Sequence, residues 1–224
     1  MAAAPVAPMT GQAVADLYDA FAGYPLRSTI EGCAHCVTEA DQAALRSAPL
    51  PELTAESLSR FGFKALTTWG DVDDLRHFLP RMLEIAVTDD GWDLHATFVK
   101  LATARWWDWP DGERRAIERY ADALWLHVLT LMPTSRSAAD VLDAFGTAFE
   151  DLTPFLVIWR AEATEPARCQ LADLLLNRPS GLDSHLADWL AEPETRQAIE
   201  AGFFAAGSPD AARLLSDAYD VLGR

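Results

Sequence analysis

Cys33 and Cys36 stand in the run Gly32-Cys33-Ala34-His35-Cys36. Two thiols three positions apart can hold one metal ion as thiolates or close one disulfide. Structural zinc takes four thiolate or imidazole ligands, usually as two pairs, and this loop supplies one pair. The other ligands must come from elsewhere. His35 lies inside the loop, whereas Asp73 and His77 lie four apart on a polar helical stripe, where the carboxylate can ligate the ion or orient the imidazole. A mixed zinc site of Cys33, Cys36, His77 and Asp73, with His35 as substitute ligand, is one reading. A thiol–disulfide pair is a second, and two loop cysteines with no shared task a third.

The polar stripe is itself a candidate for chemistry. Asp73, His77, Arg81 and Glu84 recur at spacings of four, four and three around Pro80. His77 titrates near neutrality and neighbouring carboxylates can tune it, so the stripe suits general acid–base work if it lines a pocket. Arg76 or Arg81 can hold an anionic group. The competing reading is a solvated face of mutually paired charges, each pair worth about 0.2–0.5 kcal/mol. Cys169 shares an apolar stripe with Ala172 and Leu176, which marks a buried, inert thiol. Trp106, Trp107 and Trp109 crowd one corner and read as core anchors before they read as a binding wall.

Helices must position these groups. Val14, Leu17, Tyr18 and Phe21 recur at helical spacing, and Gly23 and Pro25 end that element. Thr38 with Asp41 opens a short helix, so the thiols sit on a loop between helices. Thr54 caps the next, which Gly70 is expected to stop, and Asp71 opens another that runs through Pro80. Proline there lacks a backbone donor and is expected to kink the helix. A regular helix with Ile117, Tyr120, Leu124 and Val128 inside is expected to end at Pro133. Further helices are expected over 138–151, 154–163, 166–177, 183–191, 194–206 and 209–222, several marked by a capping residue before proline. Nothing alternates with period two. The fold expected is all-α, an irregular bundle or short solenoid of antiparallel helical hairpins with about ten to twelve helices. Residues 1–9 read as a flexible tail and 10–224 as one helical domain, with a subdivision near 133–137.

With half its 224 residues hydrophobic, the chain can bury a sizeable core without a metal or disulfide. Its formal charge is −16, and Lys64 and Lys100 are its only lysines. Such a field repels phosphate backbones, which argues against nucleic acid and anionic membrane surfaces as partners. The first cation is Arg27, with no basic, apolar leader before it, and no run reaches the roughly 18 apolar residues of a membrane span. Three cysteines are too few for a disulfide framework. Together these features predict a cytoplasmic protein.

The runs Tyr24-Pro25-Leu26, Gly32-Cys33-Ala34-His35-Cys36, Lys64-Ala65-Leu66-Thr67-Thr68-Trp69-Gly70-Asp71-Val72-Asp73-Asp74 and Arg76-His77-Phe78-Leu79-Pro80-Arg81 resemble a group of uncharacterised bacterial helical proteins. The resemblance covers the N-terminal half and carries no activity with it. It implies that the cysteine loop and the Trp69–Arg81 segment belong to one site.

Three functions follow. The first is a cytoplasmic binding or scaffold protein with a structural zinc site at the Cys33/Cys36 loop, serving a protein partner. The second is a metal-dependent enzyme for a small anionic substrate, with His77, Asp73, Arg76 and Arg81 as its catalytic candidates. The third is a thiol redox sensor, which requires an exposed, acidified Cys33 and reversible oxidation without a metal.

Overall fold

Side-chain caps start the N-terminal helices. In the computed structural model, which describes residues 8–132, 136–177 and 184–223, α1 spans Pro8–Phe21 and α2 Glu39–Ala44. At α2 the Thr38 hydroxyl accepts the Asp41 N–H while the Asp41 carboxylate accepts the Thr38 N–H, a reciprocal capping box. Thr54 accepts the Ser57 N–H to start α3 (Ala55–Lys64). Asp71 and Asp74 form a second capping box at α4 (Val72–Thr88), and Asp93 caps α5 (Leu94–Thr103). Then follow α6 (Asp111–Leu129), α7 (Ala138–Gly146), α8 (Thr153–Ala161), α9 (Glu165–Leu176), α10 (Ser184–Ala191), α11 (Pro193–Ala205) and α12 (Pro209–Leu222), with 3₁₀ turns at Leu50–Glu52 and Trp106–Asp108. Among the described residues there are twelve α-helices and no strand, as the patterning predicts. No described helix is long and apolar enough to cross a membrane.

Several boundaries differ from the expected ones. Residues 1–7 of the predicted tail lie outside the described residues, and Pro8 already belongs to α1. The third helix stops at Lys64 rather than at Gly70, because Ala65 turns to ψ 137° and Leu66 adopts a left-handed φ of 64°. The Lys64 carbonyl then accepts from the amides of Thr67, Thr68 and Trp69, which satisfies the helix end without glycine. The helix opened by Asp71 does run through Pro80, as expected, and stays helical to Thr88. The sixth helix ends at Leu129, and Pro133 lies outside the described residues. The seventh closes at Gly146, five residues early, where Thr147 and Ala148 bond back three residues to tighten the last turn.

Chain contacts define two units, one of residues up to Leu124 with Asp143–Glu150, the other Trp125–Leu142 with Asp151 onward. In the first, α1 and α5 pack on α4. Phe61 lies between Trp69 at 5.4 Å and Phe78 at 4.6 Å between ring centroids, among fully buried Leu58, Leu75, Leu79 and Met82. Each such side chain contributes about 1.5–3 kcal/mol through burial. Trp106 donates to the Ala148 carbonyl and Trp109 to that of Ala104, so these two anchor the core, while Trp107 stays 43% exposed.

In the second unit α9, α11 and α12 pack on one another. Trp159 contacts Trp125 edge-on at 5.4 Å and stacks on Trp189 at 5.8 Å. Buried Gln170 donates to the carbonyls of Val128 and Leu131 and accepts the Ala138 N–H, binding the end of α6 to the start of α7.

Candidate functional site

The thiol loop is held against the segment that follows α3. Cys33 N–H donates to the Thr68 carbonyl at 2.8 Å and Gly70 N–H to the Glu31 carbonyl at 2.7 Å, making a one-residue bridge between Gly32 and Trp69. Glycine is required on both sides of this contact. A Cβ on Gly32 would meet Val37 at 3.0 Å and the Trp69 indole at 3.1 Å, and Gly70 has a φ of +72°. Gln42 clamps the backbone of Ile30, donating to its carbonyl at 2.6 Å. Arg46 donates to the Arg27 carbonyl at 2.7 Å, and the Arg27 guanidinium reaches Asp71 at 2.5 Å and Asp74 at 3.2 Å.

Residues 33–37 form a tight turn on this frame. The amides of Cys36 and Val37 both donate to the Cys33 carbonyl, at 2.8 and 2.9 Å. An i to i+3 bond of this kind brings the two α-carbons within about 7 Å, which overlaps the range disulfides span. Cys33 is exposed, Cys36 half-buried, and both thiols are free. The backbone amide of His35 and then the Cys36 thiol stabilise the Cys33 thiolate and lower its pKa; burial opposes them, and the Cys36 amide and the charge of Lys64 add smaller contributions in the same downward direction. Lys64 Nζ and Arg60 Nη2 both donate to the Cys36 carbonyl. Arg60 is neutralised by Asp41 at 3.0 Å. Among the described residues no carboxylate lies at ion-pair distance from Lys64, though its charge also stabilises the Asp41 carboxylate.

Cys33 also forms part of the wall of an open groove of about 720 Å³, which runs between residues 29–33 and 66–70. The left-handed Leu66 lies in this wall; a strained non-glycine residue of this kind persists only where its surroundings fix it. Trp69 is 2% exposed, and its indole N–H has no acceptor among the described residues.

The helical stripe is engaged elsewhere. Asp73 reaches Arg76 at 3.3 Å and Arg27 at 3.5 Å. His77 Nδ1 lies 2.7 Å from the Tyr24 carbonyl oxygen, which fixes that nitrogen as the protonated one. Arg81 donates to the Leu53 carbonyl and to Glu84, both at 2.7 Å. Arg76 is sandwiched between the rings of Trp109 at 4.4 Å and Tyr24 at 5.0 Å, with its Nε 3.3 Å from buried Glu113. Burial and the hydrogen bond to Glu113 push the Tyr24 phenol up to about 12. Among the described residues no three His, Cys, Asp or Glu side chains are grouped to hold a metal ion.

The structure therefore joins the cysteine loop to Trp69 and Gly70, the first two residues of the segment paired with it in sequence, while Asp73, Arg76, His77 and Arg81 have partners of their own. Lys64 and Arg60 are the site residues that sequence reasoning missed. The rarity of lysine, two in 224 residues, is the signal that could have found the first. Cys169 is buried, and burial followed by the charge of Glu165 pushes its thiol up, in keeping with an inert role. No protein-family description, curated protein or solved structure matches the chain.

Proposed function

We propose that the protein is a thiol redox protein whose Cys33 and Cys36 interconvert between dithiol and disulfide, on a helical body that serves as its scaffold. The observation that carries this reading is the turn itself, in which the Cys36 and Val37 amides close on the Cys33 carbonyl and set two free thiols, the first of them exposed, three residues apart. Cys33 is the attacking thiol, because amides and Lys64 favour its thiolate, and the thiolate is the reactive form. Half-buried Cys36 is the resolving thiol.

The exchange conserves atoms and electrons. Cys33 thiolate attacks one sulfur of a disulfide substrate, that S–S bond breaks, and one half departs as a thiolate. Cys36 then loses its proton to solvent and attacks the Cys33 sulfur, which expels the other half. The protein gains one disulfide and the substrate becomes two thiols.

The test is equilibration of the purified protein with glutathione buffers of graded redox ratio, followed by alkylation of free thiols and mass analysis. The expected result is a single two-electron transition that protects Cys33 and Cys36 together and leaves Cys169 alkylated only after unfolding. Thiols that stay unpaired across the range, or about one equivalent of tightly held metal lost in Cys33→Ser, would overturn it.

A further inference from the structure

We infer that the substrates of this dithiol are small disulfides carrying carboxylates, with glutathione disulfide as the representative, rather than neutral or cationic ones. The inference rests on the dithiol reading above and adds the charge of the molecule that Cys33 attacks. Three observations lead to it.

Lys64 is the first. In a chain of net charge −16, this cation sits at the thiol turn with no carboxylate at ion-pair distance among the described residues, whereas Arg60 beside it is paired with Asp41, a carboxylate that Lys64 stabilises only from further off. The second is the groove that begins at Cys33. Its volume of about 720 Å³ falls in the roughly 300–1,000 Å³ range of small-ligand sites; Glu31 is the one charged residue lining it, so the cation that counters it is Lys64, outside the lining at the thiol turn. The third is the Trp69 indole N–H, a buried donor on a residue of the groove wall, with no acceptor among the described residues. A buried donor without a partner costs about 1–3 kcal/mol, and a ligand carboxylate is the acceptor it lacks. A cationic disulfide supplies neither acceptor nor attraction to Lys64.

Long-range and local fields oppose each other here. The whole-chain charge draws cations, but at 0.15 M salt it is screened beyond about 8 Å. Lys64 acts inside that distance on a disulfide held by Cys33. One unit charge at about 4 Å in water changes a rate by roughly fivefold.

The test compares second-order rate constants of the reduced protein with glutathione disulfide and with the dication cystamine at 0.15 M salt. Each is divided by the rate of a neutral model thiol with the same disulfide. We expect the normalised ratio to favour glutathione disulfide in the wild type, to fall at least about fivefold in Lys64→Gln, which removes attraction to one disulfide and repulsion of the other, and to be retained in Lys64→Arg. Circular dichroism of both variants checks that they fold. A ratio that favours cystamine, or one unchanged in Lys64→Gln, overturns the inference and leaves the dithiol reading standing. If neither disulfide yields the Cys33–Cys36 bond, the dithiol reading falls with it.

Discussion

The side chain of Lys64 donates to the carbonyl oxygen of Cys36, 28 residues earlier in the chain. Its backbone carbonyl meanwhile accepts from Thr67, Thr68 and Trp69. One residue thus ends α3, shapes a wall of the groove and places a positive charge at the thiol turn. This dual use ties the reactivity of Cys33 to the local fold.

Cys33 is predicted to titrate below the ordinary thiol value of about 8.5, because the His35 amide, the Cys36 thiol and Lys64 stabilise its thiolate. Iodoacetamide alkylation followed against pH should half-saturate for Cys33 at lower pH than for a small reference thiol. Lys64→Gln should move that midpoint upward, towards the reference. The linkage has the matching sign. A thiolate favoured in the folded state adds stability above the unfolded thiol value, and this contribution disappears as pH falls through the folded one.

Glu113 is predicted to be structural. It is buried, accepts from the Tyr24 hydroxyl at 2.7 Å and lies against Arg76. Glu113→Ala takes from Arg76 its buried anion and leaves it only the exposed Asp73, and loss of one partner of a buried pair costs up to about 3–5 kcal/mol. Urea unfolding should report that loss, with a smaller one in Glu113→Gln, which keeps an acceptor for Tyr24. Thiol exchange per folded molecule should be unchanged in both.

Gly70→Ala is predicted to cost about 1–3 kcal/mol, the range for a strained backbone position. Its φ is +72°, and the added methyl would meet Asp74 and Ile30 at 3.1–3.2 Å. Thermal unfolding checks this, and Gly23→Ala, whose Cβ meets nothing within 4 Å, is the control.

How far the sequence discloses this structure depends on the reach of each interaction. Thr38 with Asp41, Thr54, Asp71 and Ser208 start helices where their residue types imply, because a cap acts within one turn. The end of α3 was not legible, since nothing local to Leu66 announces a left-handed residue. The bridge between Gly32 and Trp69 that fixes the loop spans 37 positions. The stripe at Asp73, His77 and Arg81 has helical spacing, yet its members serve Arg27, the Tyr24 carbonyl and the Leu53 carbonyl respectively. Spacing locates a face, and distant chain decides what the face meets. Cys33 and Cys36 were legible as a pair because three residues suffice to bring them together.

His127 is predicted to make the second unit acid-sensitive. It is 8% exposed, its Nδ1 has no partner among the described residues, and burial lowers its pKa. Above about pH 6.5 the imidazole is neutral in both folded and unfolded chains and contributes no pH dependence. As pH falls below that value the unfolded chain takes up a proton first, so stability drops until the folded value is reached. Melting temperatures at pH 7.5 and 5.5 should differ less in His127→Leu than in the wild type.

The most direct measurement of the thiol reading is peptide mapping of the fully reduced protein after one equivalent of a small disulfide. The reading predicts a Cys33–Cys36 disulfide with a loss of two hydrogens in mass, fully reversed by dithiothreitol. In Cys36→Ser the reaction should stop at a mixed disulfide on Cys33. A mixed disulfide that persists on the wild-type protein, or first attack at Cys36 or Cys169, would contradict it.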